Sequence, residues 1–204
     1  KLLKVIKENE KLVKYLDIPL QHIDGDILKR MNRKGDEASL RALIAKIRKE
    51  IPEITLRTTF ITGFPGETDE QFCSLHQFVK DVKFDRLGCF TYSAEEDTAA
   101  ALFENQVEEQ TKVDRMEKIM EDQMTIAAIK NEEKIGSVAE VLIEGYDDYI
   151  KCYFGRSGAD APEIDGKVFF TTTKPLVIGD YVKVLINDSL EYDLLGEMID
   201  EPTK

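Results

Sequence analysis

The residues best suited to chemistry in this sequence form one stretch, Thr58 to Thr68, which reads TTFITGFPGET. A β-branched run leads into Gly63 and a Pro-Gly turn, and Thr68 is followed three residues later by Gln71, the spacing of a helix capping box. A strand, a glycine turn and a helix start leave free N–H donors at the carboxyl end of a strand, where α/β folds bind ligands. An ordinary strand-to-helix connection has the same pattern, so this stretch alone assigns no function.

Helical and extended patterns alternate on both sides of this stretch. Extended runs at residues 15–20, 54–62 and 84–92 are separated by segments whose apolar residues follow the helical period. Strands separated by such helices predict βα units and a parallel sheet. A long helix is predicted from Val107 to Lys134. Its predicted apolar stripe consists of Val113, Met116, Met120, Met124 and Ala127.

The pattern changes after Gly136, where apolar residues begin to alternate with polar ones. Five short strand candidates between residues 138 and 198 are separated by glycines and by an Asn-Asp pair. Five strands in a segment of this length are typical of a small antiparallel barrel of the OB type. We therefore predict two domains, residues 1–135 and 136–204.

Charge and cysteine content restrict the partners and the compartment. The chain carries a net charge of −12, and residues 136–204 hold 6 basic against 14 acidic side chains. Such a domain repels a polyanion and attracts a basic partner. Three widely spaced cysteines argue against a disulfide framework and predict a reducing compartment, the cytoplasm. No run of apolar residues approaches the length of a membrane span, so no membrane partner is expected.

Four motifs occur together in a recognisable order. They are YLDIPLQH at residues 15–22, ILKRMNR at 27–33, ITGFPGET at 61–68 and FTYSAEEDT at 90–98. In order and spacing they resemble the methylthiotransferases, which are radical S-adenosylmethionine (SAM) enzymes with a C-terminal TRAM domain. The resemblance implies an α/β fold made of the later βα units of a partial TIM-like barrel, followed by an OB-like TRAM barrel.

The C-terminal domain indicates a branch of that family. Residues 155–170, GRSGADAPEIDGKVFF, resemble the branch that adds a methylthio group to the β-carbon of an aspartate in a small-subunit ribosomal protein. The implied partner is that basic ribosomal protein. A tRNA methylthiotransferase, or a nucleic-acid-binding TRAM module, is the alternative. Its surface would consist of Tyr146, Tyr149, Tyr153, Phe154 and Arg156.

The same resemblance implies cofactors that this chain cannot hold completely. The family uses SAM and two [4Fe–4S] clusters, yet the CxxxCxxC motif that ligates the radical-generating cluster is absent from the sequence. Cys73, Cys89 and Cys152 are far apart in the chain and are predicted to be small buried hydrophobes. We expect no catalytic and no metal-ligating residue in this chain, and no activity from the chain alone.

Individual site residues follow from the motifs. For the SAM side of the barrel the resemblance implies Gln21, His22, Arg33, Thr59, Ile61, Gly63, Phe64, Glu67, Tyr92 and Ser93. For substrate recognition it implies Glu95, Glu96, Arg156, Asp160, Glu163 and Asp165. Independently of the family, Thr59 and Ile61 share one face of a strand, and Gly63 would let an adenine ring approach closely. Each has a structural alternative: the first two can simply face a helix, and Gly63 can be a plain turn.

One loop departs from the family pattern. Residues 93–99 read SAEEDTA, without the two prolines and the glycine that the family carries there. Asp97 stands at the glycine position, so any left-handed backbone conformation must be adopted by an aspartate, which tolerates it better than most residues.

Overall fold

The computed structural model describes residues 1–199 and separates them into two units. The first contains residues 1–9 and 16–126, and the second contains residues 10–15 together with those from 127 onwards. The domain boundary predicted at residue 135 stays a prediction, because these units are defined by contacts and divide within one helix. No helix among the described residues combines the length and apolar character that crossing a membrane needs.

The first unit is a three-stranded sheet with helices. Its strands are β1 (Tyr15–Asp17), β2 (Thr55–Thr62) and β3 (Arg86–Thr91), in the order β1-β2-β3. Strands β2 and β3 are parallel, as the alternation of helices and strands predicts. The helices are α1 (Leu2–Glu8), α2 (Gly25–Arg30), α3 (Glu37–Glu50), α4 (Asp69–Val82) and α5 (Glu109–Glu132), with a 3₁₀ turn at Ala99–Leu102.

Local signals fix where the helices begin. The Asp24 carboxylate accepts the N–H groups of Asp26 and Ile27 at the start of α2. The capping box expected before α4 is present, since the Thr68 hydroxyl accepts the Gln71 N–H and the Gln71 side chain accepts the Thr68 N–H. Each cap satisfies backbone donors that a helix start otherwise leaves unpaired.

Strand β2 has two different faces. Leu56, Thr58, Phe60 and Thr62 are buried, while the alternate residues are only half-buried. Phe60 packs edge-on against Phe78 of α4 and against Phe84, with ring centroids 6.3 and 6.1 Å apart. The helices therefore cover one face of the sheet, and Thr59 and Ile61 lie on the other.

Helix α5 buries a different face from the predicted one. Met124 of the predicted stripe is 46% exposed, so that part of the prediction is wrong. The buried positions are Lys112, Arg115, Ile119, Gln123, Ile126 and Ala127. Each of these polar side chains has at least one partner, although Gln123 Oε1 is buried without one among the described residues. The Gln123 amide, for example, donates to the Phe84 carbonyl at 3.2 Å.

The second unit contains a closed five-stranded barrel in the order β4-β5-β6-β8-β7. Its strands are β4 (Val138–Asp147), β5 (Cys152–Ser157), β6 (Val168–Thr171), β7 (Tyr181–Leu190) and β8 (Asp193–Met198). The core residues are Val141, Ile143, Val168, Phe170, Val184, Ile186 and Leu194. The predicted small OB-like barrel is confirmed: four strand pairs are antiparallel, and β6 pairs with β8 in parallel. A ring with an odd number of strands cannot alternate direction at every pair, so closure requires a parallel ladder.

Candidate functional site

A cavity of about 460 Å³ lies at the carboxyl ends of β2 and β3. Its volume falls in the range of about 300–1,000 Å³ that is typical of small-molecule sites. Six residues implied by the family resemblance line it, namely Gln21, Thr59, Ile61, Tyr92, Ser93 and Glu95. The remaining lining residues are Phe90, Thr91, Thr98 and Ala100.

The register of the two strands explains why these residues meet. Thr59 pairs with Gly88 and Ile61 with Phe90, so all four project from the face that the helices leave uncovered. Phe90 is 60% exposed although it is large and apolar. Sequence reasoning placed Thr59 and Ile61 correctly on one face, and the structure adds Phe90 as their neighbour.

Gln21 holds an unusual backbone conformation at the edge of this cavity. Its φ is +70°, in the left-handed region that non-glycine residues seldom occupy. Two hydrogen bonds fix it there: its N–H donates to the Thr59 carbonyl at 2.8 Å, and its carbonyl accepts the Ile61 N–H at 2.8 Å. The side-chain Oε1 is buried and has no hydrogen-bond partner among the described residues.

Tyr92 is the second lining residue with an unpaired polar atom. Its N–H donates to the Thr62 carbonyl at 2.8 Å, and its ring packs edge-on against Phe64 with centroids 5.3 Å apart. The phenol hydroxyl is buried and has no partner within residues 1–199. A buried polar group without a partner is destabilising, so the two atoms together indicate a site that a polar ligand would complete.

A buried network lies beside the cavity. The Glu67 side chain is fully buried, and its Oε1 is 3.2 Å from His22 Nε2. Its Oε2 accepts the N–H of Gly63 and pairs with Arg115 Nη1 at 2.9 Å. Arg115 also pairs with Asp69 at 2.6 Å. His22 and Glu67, both implied as SAM-side residues, therefore contact each other and do not line the cavity.

Gly63 is approached closely by a side chain of the same protein. Its φ is +71°, and a Cβ at this position would overlap the Lys112 side chain. The close approach expected at this glycine is thus made by helix α5.

Two more implied residues also lie away from the cavity lining. Arg33 donates to the Pro19 carbonyl at 2.9 Å. Phe64 is buried in a small cluster with Ile27 and Tyr92, and its ring centroid is 6.2 Å from that of Phe103. Both support the segments around the cavity, and their assignment to SAM binding stays a prediction.

The loop with the unusual sequence closes one side of the cavity. Asp97 has a φ of +63°, so this aspartate does adopt the left-handed conformation expected at the glycine position. Glu95 lines the cavity, and Glu96 is exposed beside it. The carboxylates of Glu95 and Glu96 do not form an acid/base pair.

The acidic segment of the barrel unit is only partly available to a partner. Asp160 is buried and accepts the Ser157 hydroxyl at 2.6 Å and the Ser157 N–H at 3.1 Å. Asp165 accepts the Tyr15 hydroxyl at 2.6 Å and the Ala161 N–H at 2.8 Å. Both carboxylates thus hold the loop in shape. Glu163 is exposed at the tip of that loop and makes neither of these sets of contacts.

The residues predicted for the alternative function do not together form a nucleic-acid-binding surface. Arg156 forms an ion pair with Glu144. The ring of Phe154 lies under Lys167 Nζ, 4.4 Å from its centroid, and the Tyr153 hydroxyl accepts the Leu176 N–H at 3.0 Å. Tyr149 is 94% exposed, so one aromatic side chain of the predicted set is fully presented.

The cysteines do not converge. Cys73 is exposed, and Cys89 and Cys152 are buried. Cys73 therefore differs from the predicted buried hydrophobe, because it lies on the outer side of α4. Within residues 1–199 no three His, Cys, Asp or Glu side chains are grouped as metal ligands would be. The described residues do not fit an iron–sulfur cluster, which requires several converging thiolates.

Two larger cavities lack comparable chemistry. One of about 790 Å³ lies among α1, β1 and α3, and aliphatic side chains, lysines and carboxylates line it. One of about 760 Å³ lies in the second unit beside the loop that contains Asp160. Neither is at the carboxyl ends of parallel strands, where α/β folds bind ligands. The 460 Å³ cavity is therefore the candidate site.

Comparison with known families identifies both parts of the chain. Residues 1–79 match the Radical SAM superfamily, and residues 135–199 match the TRAM domain. The first part of the chain thus matches the radical SAM superfamily and its last part matches the TRAM domain, in agreement with the resemblance that the four sequence motifs carry.

The relatives narrow this class. The chain is 49% identical over 200 residues to the ribosomal protein uS12 methylthiotransferase RimO of Clostridium novyi, covering 98% of this chain and 45% of that protein. It is 50% identical over 198 residues to RimO of Desulforamulus reducens, covering 97% and 45%. The resemblance to the methylthiotransferases is confirmed. The chain spans about 45% of the length of these relatives.

A solved structure also aligns with part of the chain. Coproporphyrinogen III oxidase (HemN) from Escherichia coli, described as a radical SAM enzyme, aligns with a TM-score of 0.47 at 20% sequence identity. The alignment covers 62% of this chain and 33% of the oxidase. A likeness this weak carries no functional conclusion.

Proposed function

We propose that this chain binds SAM at the 460 Å³ cavity, as part of a cytoplasmic methylthiotransferase that modifies the β-carbon of an aspartate in ribosomal protein uS12. The observation that carries the proposal is that two buried polar atoms without partners, Gln21 Oε1 and Tyr92 Oη, belong to residues lining one cavity at the strand ends. The substrate in this proposal, ribosomal protein uS12, is taken from the names of the relatives.

Four of the lining residues have chemistry suited to this ligand. Ile61 and Thr59 offer a partly apolar surface for a nucleoside base, while Gln21 and Tyr92 offer a hydrogen-bond acceptor and a hydroxyl donor. SAM would supply the radical chemistry that the superfamily performs. The two [4Fe–4S] clusters belong, on this proposal, to the rest of a longer protein, since the described residues do not provide their ligands.

The acidic barrel unit would recognise the protein substrate. Residues 136–204 carry 14 acidic side chains against 6 basic ones, and a field of this sign attracts a basic protein. Exposed carboxylates on this unit include Glu163, Asp180, Asp188, Glu191 and Glu197. Arg156, which RNA binding would require, is occupied by Glu144.

Calorimetry with SAM tests the first half of the proposal. Tyr92→Phe and Gln21→Leu each remove one polar group, so each should weaken SAM binding about tenfold, the loss expected for one hydrogen bond in a dry site. Tyr149→Phe removes a hydroxyl from a residue that is 94% exposed and is the matched control. Unchanged affinity in both cavity variants would refute the assignment of the cavity.

A salt titration tests the second half. Binding to uS12 should weaken steeply as salt is added, and charge reversal at Asp180 and Glu191 should weaken it further. A tRNA anticodon stem-loop is the comparison ligand. Tight binding of the RNA, without binding of uS12, would move the chain to the tRNA-modifying branch.

A further inference from the structure

Helix α5 places two buried cations one turn apart behind the candidate site. Lys112 is 3% exposed and Arg115 is 6% exposed. Both lie on the buried face of the helix and outside the apolar stripe that the sequence predicts. Taking a charged group out of water is costly even when it is paired, and an aliphatic side chain would fill the same space. Their charge therefore calls for an explanation other than packing.

Lys112 contacts the ends of both strands that form the cavity. Its Nζ donates to the Tyr92 carbonyl at 3.2 Å and lies 5.4 Å from the centroid of the Tyr92 ring. Its methylene chain fills the space next to Gly63, and its backbone carbonyl accepts the Thr62 hydroxyl at 3.1 Å. The exposed carboxylate of Glu109, 2.5 Å away, balances its charge.

Arg115 secures the turn that follows the same strand. It pairs with Glu67, whose other contacts include the Gly63 N–H and His22. Lys112 and Arg115 thus hold opposite sides of the Gly63 turn, one through packing and one through charge. Lys112 alone also reaches Tyr92.

We infer that Lys112 is a positioning residue of the SAM site: its ammonium fixes Tyr92 and its methylene chain fixes the Gly63 turn, without itself lining the cavity. The inference rests on the proposed function for the ligand, and on observed contacts for the positioning. Tyr92 carries one of the two unpaired polar atoms, so a shift of its backbone displaces a group that the ligand is proposed to contact. Displacements on the scale of 1 Å can alter site performance by large factors.

The test is Lys112→Met in the full protein that contains this chain. Methionine keeps most of the methylene volume against Gly63 but removes the ammonium, so the bond to the Tyr92 carbonyl is lost. SAM affinity should fall about tenfold, and the Tyr92 amide should exchange with solvent about fivefold faster. Lys118→Met, on the exposed side of the same helix, is the matched control and should change neither quantity.

Three outcomes are distinguishable. The inference is supported if SAM binds more slowly or more weakly, urea unfolding is unchanged and the Tyr92 amide exchanges faster. Affinity that falls only in proportion to lost stability, with exchange raised along the whole chain, overturns it in favour of a structural role. If the parent protein binds no SAM, the proposed function fails. The exchange of the Tyr92 amide then still decides: an unchanged rate overturns the positioning role, and a local rise supports it.

Discussion

His22 Nε2 lies 3.2 Å from Glu67 Oε1, and both side chains are completely buried. The other ring nitrogen, Nδ1, accepts the Asp24 N–H at 3.0 Å. The ring therefore carries its hydrogen on Nε2 and donates it to Glu67. This contact joins the segment after β1 to the turn after β2, the two segments that place Gln21 and Gly63.

Glu67→Gln should destabilise the first unit by about 3 kcal/mol, because it leaves a buried arginine without its buried counter-charge. Arg115 would retain the exposed carboxylate of Asp69 and the backbone carbonyl of residue 67. The measurement is urea unfolding followed by circular dichroism. Glu117→Gln, on the exposed side of α5, is the control. Equal urea-unfolding midpoints for the two variants would contradict a stabilising role for this network.

Gly63→Ala should cost more than the same change at Gly136. Both glycines have positive φ, +71° and +84°, but a Cβ at Gly63 meets Lys112 while a Cβ at Gly136 meets nothing within 4 Å. Gly136→Ala should thus show the backbone cost alone, about 1 kcal/mol, and Gly63→Ala about 3 kcal/mol. Thermal or urea unfolding measures both. Adding Lys112→Ala should recover part of the Gly63→Ala loss, and no recovery would show that the clash is unimportant.

Gln21→Gly should weaken SAM binding while leaving the stability of the protein nearly unchanged. The left-handed φ of +70° is strained in glutamine and free of strain in glycine, while glycine also raises the entropy of the unfolded chain. The two effects nearly cancel, so the free energy of unfolding should change by less than about 1 kcal/mol. SAM affinity should nevertheless fall, because the amide is lost. Gln21→Ala keeps the strain but not the extra unfolded-state entropy, so its free energy of unfolding should lie within about 1 kcal/mol of that of the glycine variant. A glycine variant that is less stable than the alanine variant by well over this amount would contradict the strain.

Much of this architecture could be predicted from local sequence signals. The Thr68–Gln71 capping box, the parallel pairing of β2 with β3 and the shared face of Thr59 and Ile61 all follow from side-chain types at short spacing. The composition of the C-terminal region likewise indicated a five-stranded barrel. Such features depend on residues near one another in the chain, which is why patterns reveal them.

Features that depend on distant residues were missed. Nothing local marks Lys112 or Arg115 as buried, because their partners, Tyr92 and Glu67, lie 20 and 48 residues away. Asp165 likewise accepts a hydrogen bond from Tyr15, 150 residues away. Asp160 differs, because its partner Ser157 is only three residues away. Lys112 and Arg115 also lie outside the predicted apolar stripe of α5, so the helical pattern did not indicate their burial.

Cys73 and Cys89 should differ sharply in thiol reactivity. Burial, together with the nearby negative charge of Glu67, raises the pKa of the Cys89 thiol to about 12, whereas Cys73 is exposed. The thiolate is the reactive form, so at pH 8 a thiol reagent should modify Cys73 quickly and Cys89 only after unfolding. Mass spectrometry of peptides locates the label, and Cys73→Ser should remove the fast phase.

The raised pKa of Cys89 also makes stability depend on pH. Between pH 9.0, the ordinary pKa of a thiol, and about pH 12, the folded state holds the Cys89 thiol proton more tightly than the unfolded state does. The contribution of Cys89 to stability therefore falls as pH rises through that range. Rapid labelling of Cys89 in the native protein would contradict its placement beneath the sheet.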